Sequence, residues 1–242
     1  MMPIIDSSSA VKKSWTLLYG PTKGGKTYAA AKLSQYFVDK GPAKLTDMLW
    51  IQFDQSGMGT LDERLLTVPM IDMRTKTSEK DIVLGAQQAV KDAVEAVNAG
   101  VTKYVVIDGL STLSDTMYNA MSARLQNFAL WQGLGNFFTN LLNALTAVNC
   151  PIVFIGHAAA LSEEKAERLG PGAAKYDLNV KGGASEFIKN QCGNVLPVLA
   201  LVVAGKKKHF MLTAPAQGYF AGTHKPDVPL EVPNDLGAFL KS

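Results

Sequence analysis

Cysteine is scarce in this chain: among 242 residues only Cys150 and Cys192 carry thiols. Two cysteines are too few for a disulfide framework or a zinc site. Excess charge of one sign is also missing. The formal net charge is +3, which permits a nucleic-acid partner without arguing for one. No segment has the length and apolarity of a membrane span, and the first residues lack the pattern of a secretory leader. The expectation is a reducing, cytoplasmic setting with no membrane partner. What is left, with 47% hydrophobic residues, is a chain able to bury a substantial core, read as an N-terminal arm (1–13) followed by one domain (14–242).

The most specific stretch present is Gly20-Pro21-Thr22-Lys23-Gly24-Gly25-Lys26-Thr27. It satisfies G-x-x-x-x-G-K-[ST], the phosphate-binding P-loop. Its context fits: Trp15 to Tyr19 has strand character, and Tyr28 to Leu33 has helix character. The glycines let successive backbone N–H groups approach an anion. Lys26 is expected to reach the β- and γ-phosphates of ATP, and Thr27 to ligate Mg²⁺ whose other ligands are phosphate oxygens and water. The expected nucleotide-binding set is Gly20, Pro21, Thr22, Lys23, Gly24, Gly25, Lys26, Thr27 and Tyr28. By itself Lys23, in the variable part of the loop, reads as a solvated lysine.

Further landmarks follow in order. Asp39 to Pro42 stops the P-loop helix. Met48 to Phe53 is a second strand ending at Asp54, and Gln55 to Gly59 is a flexible loop. Val68 to Met73 reads as an edge strand, because Pro69 cannot donate to a ladder. Ser78 caps a long helix, with Asp81 three residues on, and Gly100 ends it. Tyr104 to Ile107 is a doubly buried strand with Asp108 at its carboxyl end. Paired with the upstream P-loop it makes a Walker B pattern, and Asp108 is expected to orient Mg²⁺ beside Thr27.

Leu110 to Gly135, polar and aromatic by turns, reads as a long loop, and Asn136 to Ala147 as a helix. Pro151 to Ile155 is a buried strand leading to His157, which would lie on the same sheet edge as Gly20, Asp54 and Asp108. Ala158 to Lys181 lacks apolar periodicity and is expected to be mobile. Gly182-Gly183 leads into a helix, Ala184 to Gln191. Val195 to Val203 and His209 to Thr213 form a hairpin around Gly205-Lys206-Lys207-Lys208, and a proline-rich tail closes in a short helix capped by Asn234 or Asp235.

Together these landmarks resemble the RecA-like ATPase core, and within it the phage recombinases of the Sak-four type that anneal single-stranded DNA. The match rests on the P-loop, Asp54, Asp108, His157, Gly182-Gly183-Ala184-Ser185-Glu186-Phe187 and the ending Lys225 to Pro233. The resemblance implies an α/β fold, with a mostly parallel central sheet flanked by helices and an antiparallel hairpin near the C-terminus. It implies an ATP- and Mg²⁺-dependent ATPase that binds single-stranded DNA and assembles with itself as a filament or ring. ATP would lie between protomers, and a phage or host single-strand-binding protein would be a further partner in the cytoplasm of a host bacterium.

By the same resemblance, 110–135 and 158–181 would hold the two DNA loops, and His157 would sense the γ-phosphate. Two departures stand out. RecA-like enzymes carry a catalytic glutamate where this chain has Ser56, so Asp54, or a carboxylate from Asp62 or Glu63, would take its part, with slower hydrolysis. The cations that a neighbour inserts at the γ-phosphate reduce here to Lys225 as candidate, so the expected catalytic set is Lys26, Asp54, His157 and Lys225. Lys206 to Lys208 reads as a solvated hairpin tip, with DNA contact or a trans-acting cation as alternatives. Tyr118, Phe128 and Trp131 could stack on bases or belong to the core. Other activities also stay open: a motor or helicase loader acting on a protein, and a P-loop small-molecule kinase. The kinase is disfavoured because Arg124 and Arg168 are the only lid arginines.

Overall fold

The structure is a computed structural model that describes residues 15–33, 47–54, 70–164, 167, 174–181 and 183–241. Its strands are β1 (Thr16–Gly20), β2 (Met48–Gln52), β3 (Met70–Asp72), β4 (Tyr104–Asp108), β5 (Ile152–Ala160), β6 (Tyr176–Leu178), β7 (Asn194–Val203), β8 (Lys206–Leu212), β9 (Gly222–Thr223) and β10 (Glu231–Pro233). They form one sheet in the order β10-β8-β7-β1-β5-β4-β2-β3, with β6 on β5 and β9 on β7. From β7 to β3 every pairing in that order is parallel. The pairings of β8, β10, β9 and β6 are antiparallel. This is an α/β arrangement, a mostly parallel sheet with antiparallel strands toward the C-terminus.

Strand alternation divides the core into two layers. Leu17 and Tyr19 of β1 face one layer, built with α2 (Glu79–Asn98), α3 (Leu110–Ser122), α4 (Asn127–Leu145) and α5 (Ala184–Gln191). Leu18 faces the other, closed by α1 (Lys26–Ala31) and α6 (Leu236–Lys241). Parallel strands covered on both faces must be apolar throughout, and β1, β2 and β4 are buried along their whole lengths.

Several expectations are corrected. Residues 110–135 are not a loop: α3 ends at Ser122 and α4 begins at Asn127, so only 123–126 connect them. Leu110, Leu113, Met117 and Met121 recur at helical spacing and are buried, as are Leu130, Leu134 and Phe137. Asn119, Arg124, Gln126 and Asn127 are exposed, whereas Ser111 and Ser114 are buried beside the apolar stripe. The hairpin turns at Ala204 and Gly205, both at positive φ (50° and 75°), so Lys206, Lys207 and Lys208 lie within β8 rather than at a tip. His157 is not the end of its strand, because β5 continues to Ala160 and pairs there with β6. The closing helix is capped by Asp235, whose Oδ1 accepts from the Ala238 N–H at 2.9 Å. The arm 1–13, Asp39–Pro42, Gln55–Gly59 with Ser56, Asp62, Glu63, Arg168, Gly182 and, within 158–181, residues 165–166 and 168–173 lie outside the described residues; of the segment expected to be mobile, 158–160 continue β5 and 176–178 form β6.

The cap expected at Ser78 is present: its Oγ accepts from the Asp81 N–H at 3.1 Å and donates to Asp81 Oδ2 at 2.7 Å. Ser78→Ala is expected to lower the free energy of unfolding by about 1 kcal/mol. Urea denaturation of the two proteins checks it, and a loss under about 0.3 kcal/mol would leave the cap without a stabilising role.

Candidate functional site

The carboxyl edge of the parallel strands collects the polar residues. Register alone places Gly20 beside His157, Ile155 beside Asp108, and Asp108 beside Gln52. Because β5 lies between β1 and β4, a strand's width separates the P-loop strand from the acidic one. That gap is spanned by the side chain of Thr27, which donates from Oγ1 to Asp108 Oδ2 at 3.2 Å. Around it opens a cavity of about 370 Å³ lined in part by Thr22, Lys23, Lys26, Tyr28, Asp54 and His157.

The P-loop is shaped from both ends. Gly25 caps α1 at φ 97°, a backbone region that L residues rarely enter. A Cβ there would come within 2.7 Å of Asn234 Nδ2 and 2.9 Å of His209 Nδ1. These two side chains hold the loop: His209 Nδ1 donates to Gly24 O at 2.7 Å, and Asn234 Nδ2 donates to Gly25 O at 3.1 Å. A carbonyl only accepts, so the proton of His209 is placed on Nδ1. In a planar trans peptide the C=O of one residue and the N–H of the next point in opposite directions. Pinning the carbonyls of Gly24 and Gly25 from the outside therefore turns the N–H groups of Gly25 and Lys26 inward.

Lys26 is buried, and its Nζ donates to Pro21 O at 2.8 Å and Gly20 O at 3.2 Å. Burial pulls its pKa down to about 8, against the opposing charges of Asp108 and Asp54. Asp108 is buried as well. Burial, then the neighbouring charge of Asp54, push its carboxyl up to about 7, while the Thr27 hydrogen bond and Lys26 act the other way. Such a carboxylate is short of positive charge, and a divalent cation beside Thr27 would supply it. No cluster of three or more His, Cys, Asp or Glu side chains suited to a metal occurs among the described residues. Thr27 and Asp108 thus fit Mg²⁺ held mainly by phosphate oxygens and water, as that cation prefers.

Asp54 and His157 form a second pair. His157 Nε2 lies 3.3 Å from Asp54 Oδ2, and a carboxylate accepts, so Nε2 carries the proton. Nδ1 of the same ring is buried without a hydrogen-bond partner. The His157 backbone N–H donates to Ser111 Oγ at 2.9 Å, and Gln52 Nε2 donates to Asp54 O at 2.7 Å. The Gln52 Oε1 is buried without a partner. Gly109 makes the close approach of Asp54 feasible: it has φ 98°, and a Cβ would meet the Asp54 nitrogen at 2.6 Å.

Not every expected residue joins the cavity. Pro21 and Gly20 contribute carbonyls to Lys26 rather than lining it. Tyr28 lines it and is 53% exposed, with Lys32 Nζ 5.3 Å from its ring centroid. Lys225 lies elsewhere in its own chain: Nζ donates to Phe239 O at 2.6 Å and sits 5.1 Å from the Phe239 ring. Sequence reasoning missed Gln52, Ser111, His209 and Asn234 as site residues. Only tertiary contacts single them out, since a lone His in a strand or an Asn before a helix carries no motif. Away from the cavity, Tyr118 and Trp131 lie 5.4 Å apart, Lys181 Nζ is 4.6 Å from the Tyr118 ring, and Phe128 is 76% exposed.

Comparison with known proteins adds a family. The model of the family described as "AAA domain" matches residues 12–224. No curated protein matches the chain. Among solved structures, a KaiC-like protein from the hyperthermophilic archaeon Pyrococcus horikoshii OT3 is similar at 15% identity. The match covers 84% of this chain and 79% of that one, with a TM-score of 0.48.

His209→Ala removes one carbonyl anchor of the P-loop. Amide exchange at Gly24 and Ala29, whose N–H groups donate to Pro21 O and Gly25 O at the loop, is expected to rise about tenfold, the equivalent of one hydrogen bond. Exchange measured by NMR checks this, and unchanged protection would mean that β8 lies beside the loop without holding it.

Proposed function

The chain belongs to the AAA domain family, and from that premise we propose that it is an ATPase that binds Mg²⁺–ATP at Gly20 to Thr27 and works on single-stranded DNA. ATP lies between protomers of a filament or ring, and the assembly promotes annealing or strand exchange. The observation that carries this proposal is the path of β5. It runs between the P-loop strand and the Asp108 strand, bears His157 opposite Asp54, and continues into the 158–181 segment. A change at the γ-phosphate therefore has a direct covalent route to the segment expected to meet DNA.

The roles follow from the chemistry of each group. Lys26 exchanges its bonds to Gly20 and Pro21 for phosphate oxygens, recovering the charge partners that its burial demands. Thr27 and Asp108 hold the cation, which supplies charge neutralisation on the phosphates. Asp54, at the cavity beside His157, orients the attacking water in this reading. His157 has its Nε2–H on Asp54, so a bond to the γ-phosphate competes with that pair, and bound ATP shifts the ring and with it β5. Lys225, turned to Phe239 in its own chain, acts on a neighbour's nucleotide. Tyr118, Trp131, Phe128 and Lys181 combine aromatic faces with positive charge, the combination that unpaired bases select.

ATP hydrolysis with and without single-stranded oligonucleotide is the direct test. Stimulation by DNA is expected. No stimulation together with no retention on an oligonucleotide at low salt overturns the DNA proposal, and stimulation by a protein partner instead would favour a motor or loader. Lys26→Ala is expected to lose about a hundredfold or more in turnover and to abolish nucleotide-dependent assembly. Asp108→Asn should keep part of the nucleotide affinity while losing Mg²⁺-dependent turnover. His157→Ala should uncouple ATP from DNA affinity; an unchanged ATP effect in a DNA-binding titration removes the sensor role.

A further inference from the structure

The β7–β8 hairpin stands past the edge of the parallel sheet. β7 pairs with β1 only as far as Tyr19 opposite Pro197, then runs on to Val203 with β8 beside it. Directly opposed residues in an antiparallel pair share a face. Ala200 with His209 and Val202 with Lys207 make one face, and Leu199 with Phe210 and Leu201 with Lys208 make the other. The first face is turned to the P-loop, because Lys207 and His209 line the same cavity as Lys26, Thr27 and Asp108. Lys206 and Lys208 alternate away from it.

Charge in that cavity points to a task for Lys207. Its carboxylates are Asp54 and Asp108, and without Lys207 its lysines are Lys23 and Lys26. With the cation beside Asp108 keeping that carboxyl ionised, two against two cancel, whereas Mg²⁺-bound triphosphate still carries net negative charge. Lys207 supplies the surplus. Its Nζ reaches Lys23 O at 3.4 Å, a long bond that one of three ammonium donors can exchange for a phosphate oxygen. Among the described residues no carboxylate pairs with it. His209, two residues on, fixes the strand to Gly24 O at 2.7 Å, so the lysine stem starts from an anchored backbone.

We propose that Lys207 is a phosphate ligand of its own chain's nucleoside-triphosphate site, carried there by the β7–β8 hairpin. This rests on the cavity being the Mg²⁺–ATP site. It adds a cation in cis to Lys26, distinct from any cation contributed by a neighbour.

The test is Mg²⁺–ATP affinity by calorimetry for wild type and for Lys206→Ala, Lys207→Ala, Lys208→Ala and Lys207→Arg. The protein is kept dilute enough that light scattering shows no assembly. Lys207→Ala is expected to bind about tenfold more weakly, the scale of one charge-assisted phosphate contact. Lys207→Arg should recover most of that loss, and Lys206→Ala and Lys208→Ala should stay within about twofold of wild type. Unchanged affinity in Lys207→Ala beside a wild type that binds overturns the proposal and leaves the nucleotide site intact. Equal losses in all three alanine variants overturn it too, because they indicate a diffuse field rather than a contact. A wild type that does not bind Mg²⁺–ATP removes the nucleotide site itself.

Discussion

Burial of Lys26 and Asp108 at one edge of a sheet is the constraint on which the structure turns. Taking charges out of water costs several kcal/mol each unless partners replace the solvent. Here the partners are incomplete by design of the loop: Lys26 makes do with two carbonyls, and Asp108 with one hydroxyl. The opposite displacements of their pKa values, down for the amine and up for the carboxyl, are the electrostatic trace of that shortfall. A site with unmet charge is one that an anion and a cation together can satisfy. The surrounding fold supplies the rigidity that keeps the two groups from escaping to solvent.

That rigidity has an unexpected source. The P-loop is joined covalently to β1 and α1, yet the groups that pin its carbonyls come from roughly two hundred residues later, on β8 and just before α6. The C-terminal strands are thus part of the wall of the P-loop cavity rather than an appendage to the parallel core. The antiparallel pairing that carries β8 past the sheet edge also brings Lys207 over the cavity. The shape of the P-loop and the packing of the C-terminal segment are in consequence linked through the same few hydrogen bonds.

On the other flank, β5 links the site to the surface beyond it. A strand inserted between β1 and β4 must carry something at its edge, and this one carries His157. Its ring meets Asp54, while its backbone N–H is held by Ser111 of α3. Any rearrangement of the Asp54–His157 pair is therefore felt both by the continuation of β5 and by the helix that packs beneath it.

The P-loop, Asp108 and the strand-end polar residues were legible in the amino-acid order because their chemistry demands fixed types at short spacing. Buried parallel strands were equally plain, as uninterrupted apolar runs. Residues 110–135 were misjudged since a helix with a polar outer face and an aromatic stripe resembles a loop until its neighbours define which side is inside. Local pattern by itself determined the P-loop motif and its acidic partner, and the α/β class came with the family resemblance that those motifs carry. Only the tertiary structure decided that Gln52, Ser111, His209 and Asn234 belong to the site, and that Lys207 faces it while Lys206 and Lys208 do not. Those are facts of register and long-range contact, and strand pairing sets them between segments that carry no mark of each other in sequence.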